Sequence, residues 1–168
     1  NAARASRKDL RDAVRTARAA QEGWAARTAY NRGQVLYRVA EMLEGRQAEL
    51  ASLLSDTGQG TEAVEEEVEA SIDRWVWYAG WSDKVHHVLG TVNPVSGPYF
   101  NFTVPEPTGV VGLVAPSRPV LLGLVSRLVP AIVGGNAVVV VTGGDASLVA
   151  VTLGEVLATS DMPAGVVN

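Results

Sequence analysis

The sequence predicts an α/β fold, in which a Rossmann-like parallel sheet flanked by helices follows a set of N-terminal helices and a β arm. Two observations carry this prediction. Apolar residues recur at helical spacing through the first half of the chain, and from residue 108 onward short apolar runs alternate with longer helical stretches. Such alternation is typical of parallel strands joined by crossover helices. We expect a single domain over 1–168, and part of a larger one, because a predicted strand begins close to its last residue.

The first part of the chain, residues 1–84, is predicted to be helical. Ser6 and Asp9 have the spacing of a capping box, which predicts a first helix from this point. A second helix is expected from Asn31 to about Leu54, with a break near Gly45 as the alternative. A third helix is expected from Thr61 to about Lys84.

The third helix carries consecutive glutamates, Glu65 to Glu67, near its start. A run of like charges on a helix is typical of a face in contact with water. We therefore interpret all three carboxylates as solvated.

Residues 85–107 are rich in glycine and proline and are predicted to form a β arm. Phe100, Phe102 and Val104 alternate with polar residues, which predicts a half-buried strand in an antiparallel arrangement. His86 and His87 are adjacent, so in a strand their side chains face opposite sides, and no metal site is expected.

Residues 108–168 are predicted to form a β-α-β-α-β unit. Val110–Val114 and Ala137–Val141 read as buried strands. Residues 119–133 form a helix that is apolar nearly all round, and residues 146–159 form a second crossover helix. A third strand is expected to begin after Met162.

The composition excludes several classes of function. The chain has 168 residues, 47% of them apolar, with a net charge of −4 and no cysteine. Disulfides, thiolate metal sites and a cysteine nucleophile are therefore excluded within it. The negative charge disfavours nucleic acid, and no uninterrupted apolar run reaches the roughly 18–20 residues that a membrane span needs. We expect neither partner, and a cytoplasmic location.

Five segments, in order, resemble landmarks of the aldehyde dehydrogenase superfamily, in its N-terminal cofactor-binding domain. They are ARAAQEGWAARTAYNRGQVLYRVAEMLEGRQAEL, TGQGTEAVEEEVEASIDRWVWYAGWSDK, EPTGVVGLVAP, PAIVGGNAVVV and SDMPAGVVN. More narrowly, RKDLRDAV, AGWSDK and LLGLVSRLVPAIVGGNAVVVV resemble the second, non-catalytic unit of the two-unit family-16 aldehyde dehydrogenases.

The resemblance implies oxidation of aldehydes by a cysteine nucleophile, a glutamate base and an oxyanion-binding asparagine, with hydride transfer to NAD or NADP. The family's first strand typically ends in Pro-Trp-Asn-x-Pro. Here Pro116 is kept, Ser117 stands in the tryptophan position and Arg118 in that of the oxyanion asparagine. A long cationic side chain does not replace a short neutral amide, so no catalytic residue is expected in this chain.

The family's second strand usually ends in Lys-Pro-Ser/Ala-Glu, whose lysine and glutamate hold the adenosine ribose. The matching positions here are Val141-Thr142-Gly143-Gly144, without either charge. The remaining candidates for binding NAD or NADP are small or neutral residues at the two strand ends: Ala115, Pro116, Ser117, Thr142, Gly143 and Gly144.

Two of these positions have alternative interpretations. Arg118 is either a phosphate or substrate contact or a solvent-facing or salt-bridged turn residue. The turn from Thr142 to Asp145 either approaches a phosphate with its backbone amides or starts the next helix, with Asp145 as the cap.

Three functional hypotheses follow. The first is a degenerate, inactive aldehyde dehydrogenase-like module, a pseudoenzyme unit that forms a homo-oligomer or packs on a catalytic unit through the β arm. The second is the N-terminal piece of an active aldehyde dehydrogenase. The third is a nucleotide or metabolite sensor.

Overall fold

A computed structural model describes residues 4–144 and 146–168. Five helices come first, then a two-stranded arm, then strands and helices in alternation. The helices are α1 (Arg7–Ala25), α2 (Ala29–Glu44), α3 (Gln47–Ser55), α4 (Thr61–Ala79), α5 (Val85–Leu89), α6 (Leu121–Val133) and α7 (Ala146–Ala158). The strands are β1 (Thr91–Asn93), β2 (Asn101–Thr103), β3 (Val110–Val114) and β4 (Ala137–Val141).

The predicted parallel sheet is confirmed. β3 and β4 pair in parallel, with Val110 opposite Ala137 and Val114 opposite Val141. The last residues continue the sheet on the other side of β4, because the amide of Val138 donates to the carbonyl of Val166 at 2.7 Å. Val138 and Val167 form a parallel bridge, as the expected third strand requires.

Helices cover both faces of this sheet. On one face, Ala17 of α1 packs against Ala137 and Val139, and on the other the alternate residues of β4 belong to the core built by α6 and α7. The prediction that β3 is a buried strand was wrong. Leu113 alone of its residues is buried and Val114 is 76% exposed, because α1 packs against the first half of the strands.

The helical part follows the prediction up to α4. Ser6 caps α1, its amide donating to the carboxylate of Asp9 at 2.7 Å, so the capping box is confirmed. The break near Gly45 is also confirmed, since α2 ends at Glu44 and α3 begins at Gln47. The third predicted helix is shorter than expected: it ends at Ala79 and is followed by turns as far as Lys84.

The β arm differs from its predicted form in two ways. Its first residues, Val85–Leu89, are a short helix, so His86 and His87 do not lie in a strand. β1 and β2 pair antiparallel as predicted, yet Phe100 and Phe102 are 76% and 58% exposed, and β2 buries neither face. The arm extends away from the core, and that is why the alternation of its aromatic residues does not mark a buried side.

Side chains from distant elements cap the carboxyl end of α6. The indole N–H of Trp24 donates to the Ile132 carbonyl at 2.8 Å, and Nε of Arg32 donates to the Val133 carbonyl at 3.1 Å. Arg32 also donates to the carbonyls of Ala25 and Arg27, and its burial lowers the pKa of the guanidinium from its usual value. These bonds satisfy carbonyls that a helix end leaves without partners.

No helix in the part of the chain that the structure describes is long and apolar enough to cross a bilayer.

Candidate functional site

The two candidate strand ends lie side by side at the carboxyl edge of the sheet. The amide of Ala115 donates to the carbonyl of Val141 at 2.9 Å, which extends the β3–β4 ladder by one bond. Pro116 and Ser117 therefore leave the sheet beside Thr142 and Gly143. Open α/β sheets place ligands at this edge, so the geometry agrees with the predicted location, and nucleotide binding by these residues stays a prediction.

Their surroundings are open to solvent. Ser117, Gly143 and Gly144 are exposed, whereas Ala115, Pro116 and Thr142 are half-buried. Gly144 has a φ of 59°, a left-handed conformation that glycine adopts without strain. The hydroxyl oxygen of Thr142 is buried and has no hydrogen-bond partner within the described residues. The predicted cap by Asp145 lies outside the described residues.

Arg118 is exposed but bound. Its Nη2 donates to the backbone carbonyl of Thr57, in the loop between α3 and α4, at 2.8 Å. This contact holds the guanidinium against a neighbouring loop. Arg118 forms no ion pair within residues 4–144 and 146–168. Arg118 is thus an exposed turn residue, as one of the two alternatives described, and its guanidinium is bound to a backbone carbonyl.

The interpretation of the glutamate run was wrong for one of its members. Glu65 and Glu66 are exposed, but Glu67 is buried and caps the start of α6. Its Oε1 accepts from the amides of Leu121 at 2.6 Å and Leu122 at 3.1 Å. The helix predicted over 119–133 accordingly begins at Leu121.

This carboxylate changes what the site can bind. The first amides of a helix and its macrodipole attract anions, and a phosphate can occupy such a position. At α6 the position is already taken by the protein's own Glu67. Within the described residues, the amides that follow β4 are the remaining candidate position for a nucleotide phosphate.

A periodicity signal could have identified Glu67. It falls between Val64 and Ser71, at spacings of three and four residues, on the face that also carries Val68 and Trp75. Positions three and four apart share one face of a helix. A carboxylate on that apolar face requires a buried donor, and the donor lies 54 residues further along the chain.

Helix α6 packs directly against the turn that follows β3. A Cβ atom added at Gly123 would lie 2.5 Å from Cγ of Pro116, a distance too short for two carbon atoms that are not bonded. Glycine is therefore required if Pro116 is to keep its place. The candidate turn thus rests on α6, with Glu67 and Gly123 setting its distance from the helix.

A cavity of about 370 Å³ lies beside this edge, between α6, α7 and the last residues of the chain. It is mainly apolar and includes Leu124, Val140, Gly154, Met162 and Val167, with Thr142 among its polar lining residues. Its size falls within the range of small-molecule pockets, about 300–1,000 Å³. Among residues 4–144 and 146–168, no three His, Cys, Asp or Glu side chains gather as metal ligands would.

A parallel sheet covered on both faces, with loops open at its carboxyl edge, defines an α/β domain of the nucleotide-binding class. The sequence profile of the aldehyde dehydrogenase family matches residues 1–168. The chain belongs to this family.

Individual relatives agree with this assignment. Retinal dehydrogenase 2 of Gallus gallus is 36% identical, over 98% of this chain and 32% of its own length. The mitochondrial aldehyde dehydrogenase family 2 member B4 of Arabidopsis thaliana is 35% identical, over 95% of this chain and 30% of its own. The NAD⁺ complex of an aldehyde dehydrogenase from Bacillus cereus superposes with a TM-score of 0.89 at 30% identity, over 96% of this chain and 33% of that one. The chain thus spans about a third of the length of these relatives.

Proposed function

We propose that this chain is a non-catalytic cofactor-domain unit of an NAD(P)-dependent aldehyde dehydrogenase, with a structural or oligomerising role. The observation that carries the proposal is the bond between Arg118 and the Thr57 carbonyl. It commits the side chain in the oxyanion-asparagine position to the backbone of a neighbouring loop. A guanidinium held there does not supply the short, neutral amide donor that the family uses.

The cofactor contacts support the same conclusion. Val141 and Gly144 stand where the family resemblance implies a lysine and a glutamate, and neither residue has a polar side-chain atom that could hydrogen-bond a ribose. The polar groups available at this edge are the hydroxyl of Thr142 and the backbone amides of Gly143 and Gly144. These residues therefore do not fit the contacts by which the family holds NAD or NADP.

The proposed partner is a second copy of the chain or a catalytic aldehyde dehydrogenase unit, bound through the β arm. Tyr99, Phe100 and Phe102 are each more than half exposed there, and Val92 of the paired strand is 71% exposed. Exposed aromatic side chains clustered on a projecting arm are typical of protein interfaces. The proposal also includes a pseudoenzyme role, a relation to the second units of family-16 aldehyde dehydrogenases, and a cytoplasmic location.

Two alternatives each have a specific observation in their favour. Identity of 36% to a retinal dehydrogenase favours the N-terminal part of an active enzyme, in which the rest of the protein supplies the chemistry. The unpartnered Thr142 hydroxyl beside the apolar cavity favours a nucleotide or metabolite sensor.

Calorimetric titration of NAD and of NADP into the protein tests the proposal. Since enzyme KM values are commonly about 1 µM to 1 mM, a non-catalytic unit should show no saturation by NAD or NADP below about 1 mM. The variants are Arg118→Asn and Thr142→Val, with Thr159→Val, a threonine at the end of α7 away from the site, as control. Sub-millimolar saturation that Thr142→Val abolishes and Thr159→Val preserves would refute the scaffold proposal and favour an enzyme or a sensor.

A further inference from the structure

Charge is distributed unevenly along this chain. Residues 1–27 contain seven Lys or Arg and three Asp or Glu, a net charge of +4. Residues 28–168 contain seven Lys or Arg and fifteen Asp or Glu, a net charge of −8. The first helix is thus basic although the protein as a whole is acidic. Such an uneven charge distribution favours association with partners of opposite charge.

The positive charge is concentrated on one face of α1, here called the arginine face: Arg7, Leu10, Arg11, Val14, Arg15 and Arg18. These residues line a shallow groove, and their spacing of three and four places them on one side of the helix. All four arginines are exposed, and Leu10 is 49% exposed among them. Arg15 pairs with Asp12 at 3.0 Å, while Arg7, Arg11 and Arg18 form no ion pair within the described ranges.

A matching negative surface lies on α4, here called the carboxylate face: Glu62, Glu65, Glu66, Glu69 and Asp73. All five are exposed, and their spacing again places them on one side of a helix. None of them forms an ion pair within residues 4–144 and 146–168. Both faces extend over eleven residue steps, which is about 16 Å at 1.5 Å per residue.

Each face is unfavourable by itself. Like charges three or four residues apart on a helix destabilise it by about 0.2–0.5 kcal/mol per pair, so each row repels itself. Between the two faces of one molecule, no hydrogen bond or ion pair is formed in the described part of the chain. A surface of opposite charge on another molecule would relieve this repulsion, as counter-ions do in part.

We infer that the arginine face of one copy docks on the carboxylate face of a second copy, antiparallel or parallel along the two helices. The faces match in sign and in length, and Leu10 and Val14 give the groove an apolar floor for the stems of the glutamates. Because the two faces differ, the contact is head-to-tail and leaves one face free on each end molecule, so it builds chains or rings. It is separate from the β arm and from the nucleotide edge.

Charge reversal on the full chain tests this contact by sedimentation velocity at low salt and at about 1 M salt, where the screening length falls to about 3 Å. One variant carries Arg11→Glu and Arg18→Glu, and the other carries Glu65→Arg and Glu69→Arg. The control, Glu44→Arg with Glu106→Arg, makes the same charge change as the second variant, at exposed positions outside both faces. Association is scored as the increase at low salt over the species that remains at high salt.

We expect the wild type and the control to associate at low salt, and each reversed variant alone to associate at least about tenfold more weakly. Mixing the two reversed variants should restore association, because each then offers a face of opposite sign to the other; restoration also shows that both are folded. Three results would overturn the proposal: no salt-dependent association of the wild type, unchanged association of both reversed variants, or no recovery on mixing. Binding of the wild type to anionic phospholipid vesicles without self-association would overturn it in favour of a membrane surface.

Discussion

The two edges of the parallel sheet are built in opposite ways. At the amino edge, side chains from α1, α2 and the loop before β4 donate to the last carbonyls of α6: Trp24 to Ile132, Arg32 to Val133 and the half-buried Asn136 to Ala131. At the carboxyl edge, the backbone of Ser117, Gly143 and Gly144 is exposed. More of the buried side-chain hydrogen bonds lie at the amino edge, so the exposed loops of the carboxyl edge can vary in chemistry with little loss of stability.

The largest expected effect is at the amino edge. Arg32→Met keeps an unbranched stem but removes the guanidinium that serves the carbonyls of Ala25, Arg27 and Val133. Hydrogen bonds to charged groups contribute about 1.5–3 kcal/mol each, and buried carbonyls left unpaired add a penalty, so we expect the free energy of unfolding in urea to fall by about 3 kcal/mol. Arg38→Met, at an exposed pair with Glu41, is the control and should cost at most about 1 kcal/mol. Equal losses for the two variants would remove the contrast between the edges.

A smaller effect is expected where the carboxyl edge meets the core. Glu67→Ala removes the cap of α6 and leaves two amides without their acceptor. Loss of a side-chain cap costs about 0.5–2 kcal/mol, and burial places this one at the upper end, so we expect a loss of about 2 kcal/mol in urea unfolding. Glu66→Ala, at the exposed neighbouring position, should change stability by less than about 0.5 kcal/mol. A Glu67→Ala protein as stable as the Glu66→Ala control would contradict the capping role.

The smallest effect depends on pH and concerns the exposed start of α1. Hydrogen bonds from the amide and hydroxyl of Ser6 lower the pKa of Asp9 below its usual 3.8. A lowered pKa means that the folded protein binds this proton less tightly than the unfolded chain does. The contribution is therefore present above the unfolded pKa and disappears as the pH falls through the folded pKa.

Asp9→Asn should accordingly lower Tm at neutral pH by a small amount, and the gap to the wild type should close in acid. Thermal unfolding followed by circular dichroism from neutral to acid pH measures this. A gap that stays constant over the whole pH range would show that the carboxylate charge contributes nothing at this exposed end.

The sequence predicts the sheet because its signals there are local. The apolar runs at Val110–Val114 and Ala137–Val141 and the helices between and after them are found where their own residues place them. The same holds for the capping box of Ser6 and Asp9, whose partners are three residues apart.

What the sequence does not predict depends on contacts between distant residues. Arg32 reaches the Val133 carbonyl across 101 residues, and Arg118 reaches Thr57 across 61. Nothing in the residues near Arg118 indicates that its guanidinium is already bound. The exposure of Phe100 and Phe102 has the same origin, because alternation shows that a strand has two faces but not whether another element covers either one.

The position of Trp24 has a spectroscopic consequence. Its indole is 1% exposed and its N–H is bound to the Ile132 carbonyl, whereas Trp77 on α4 is 59% exposed. Separation of α1 from α6 would place the Trp24 ring in water and shift its emission to longer wavelength, while the emission of Trp77 would change little. Because Trp75 is also fully buried, the chain's own fluorescence becomes a selective, label-free reporter of the amino edge in a Trp75→Phe background.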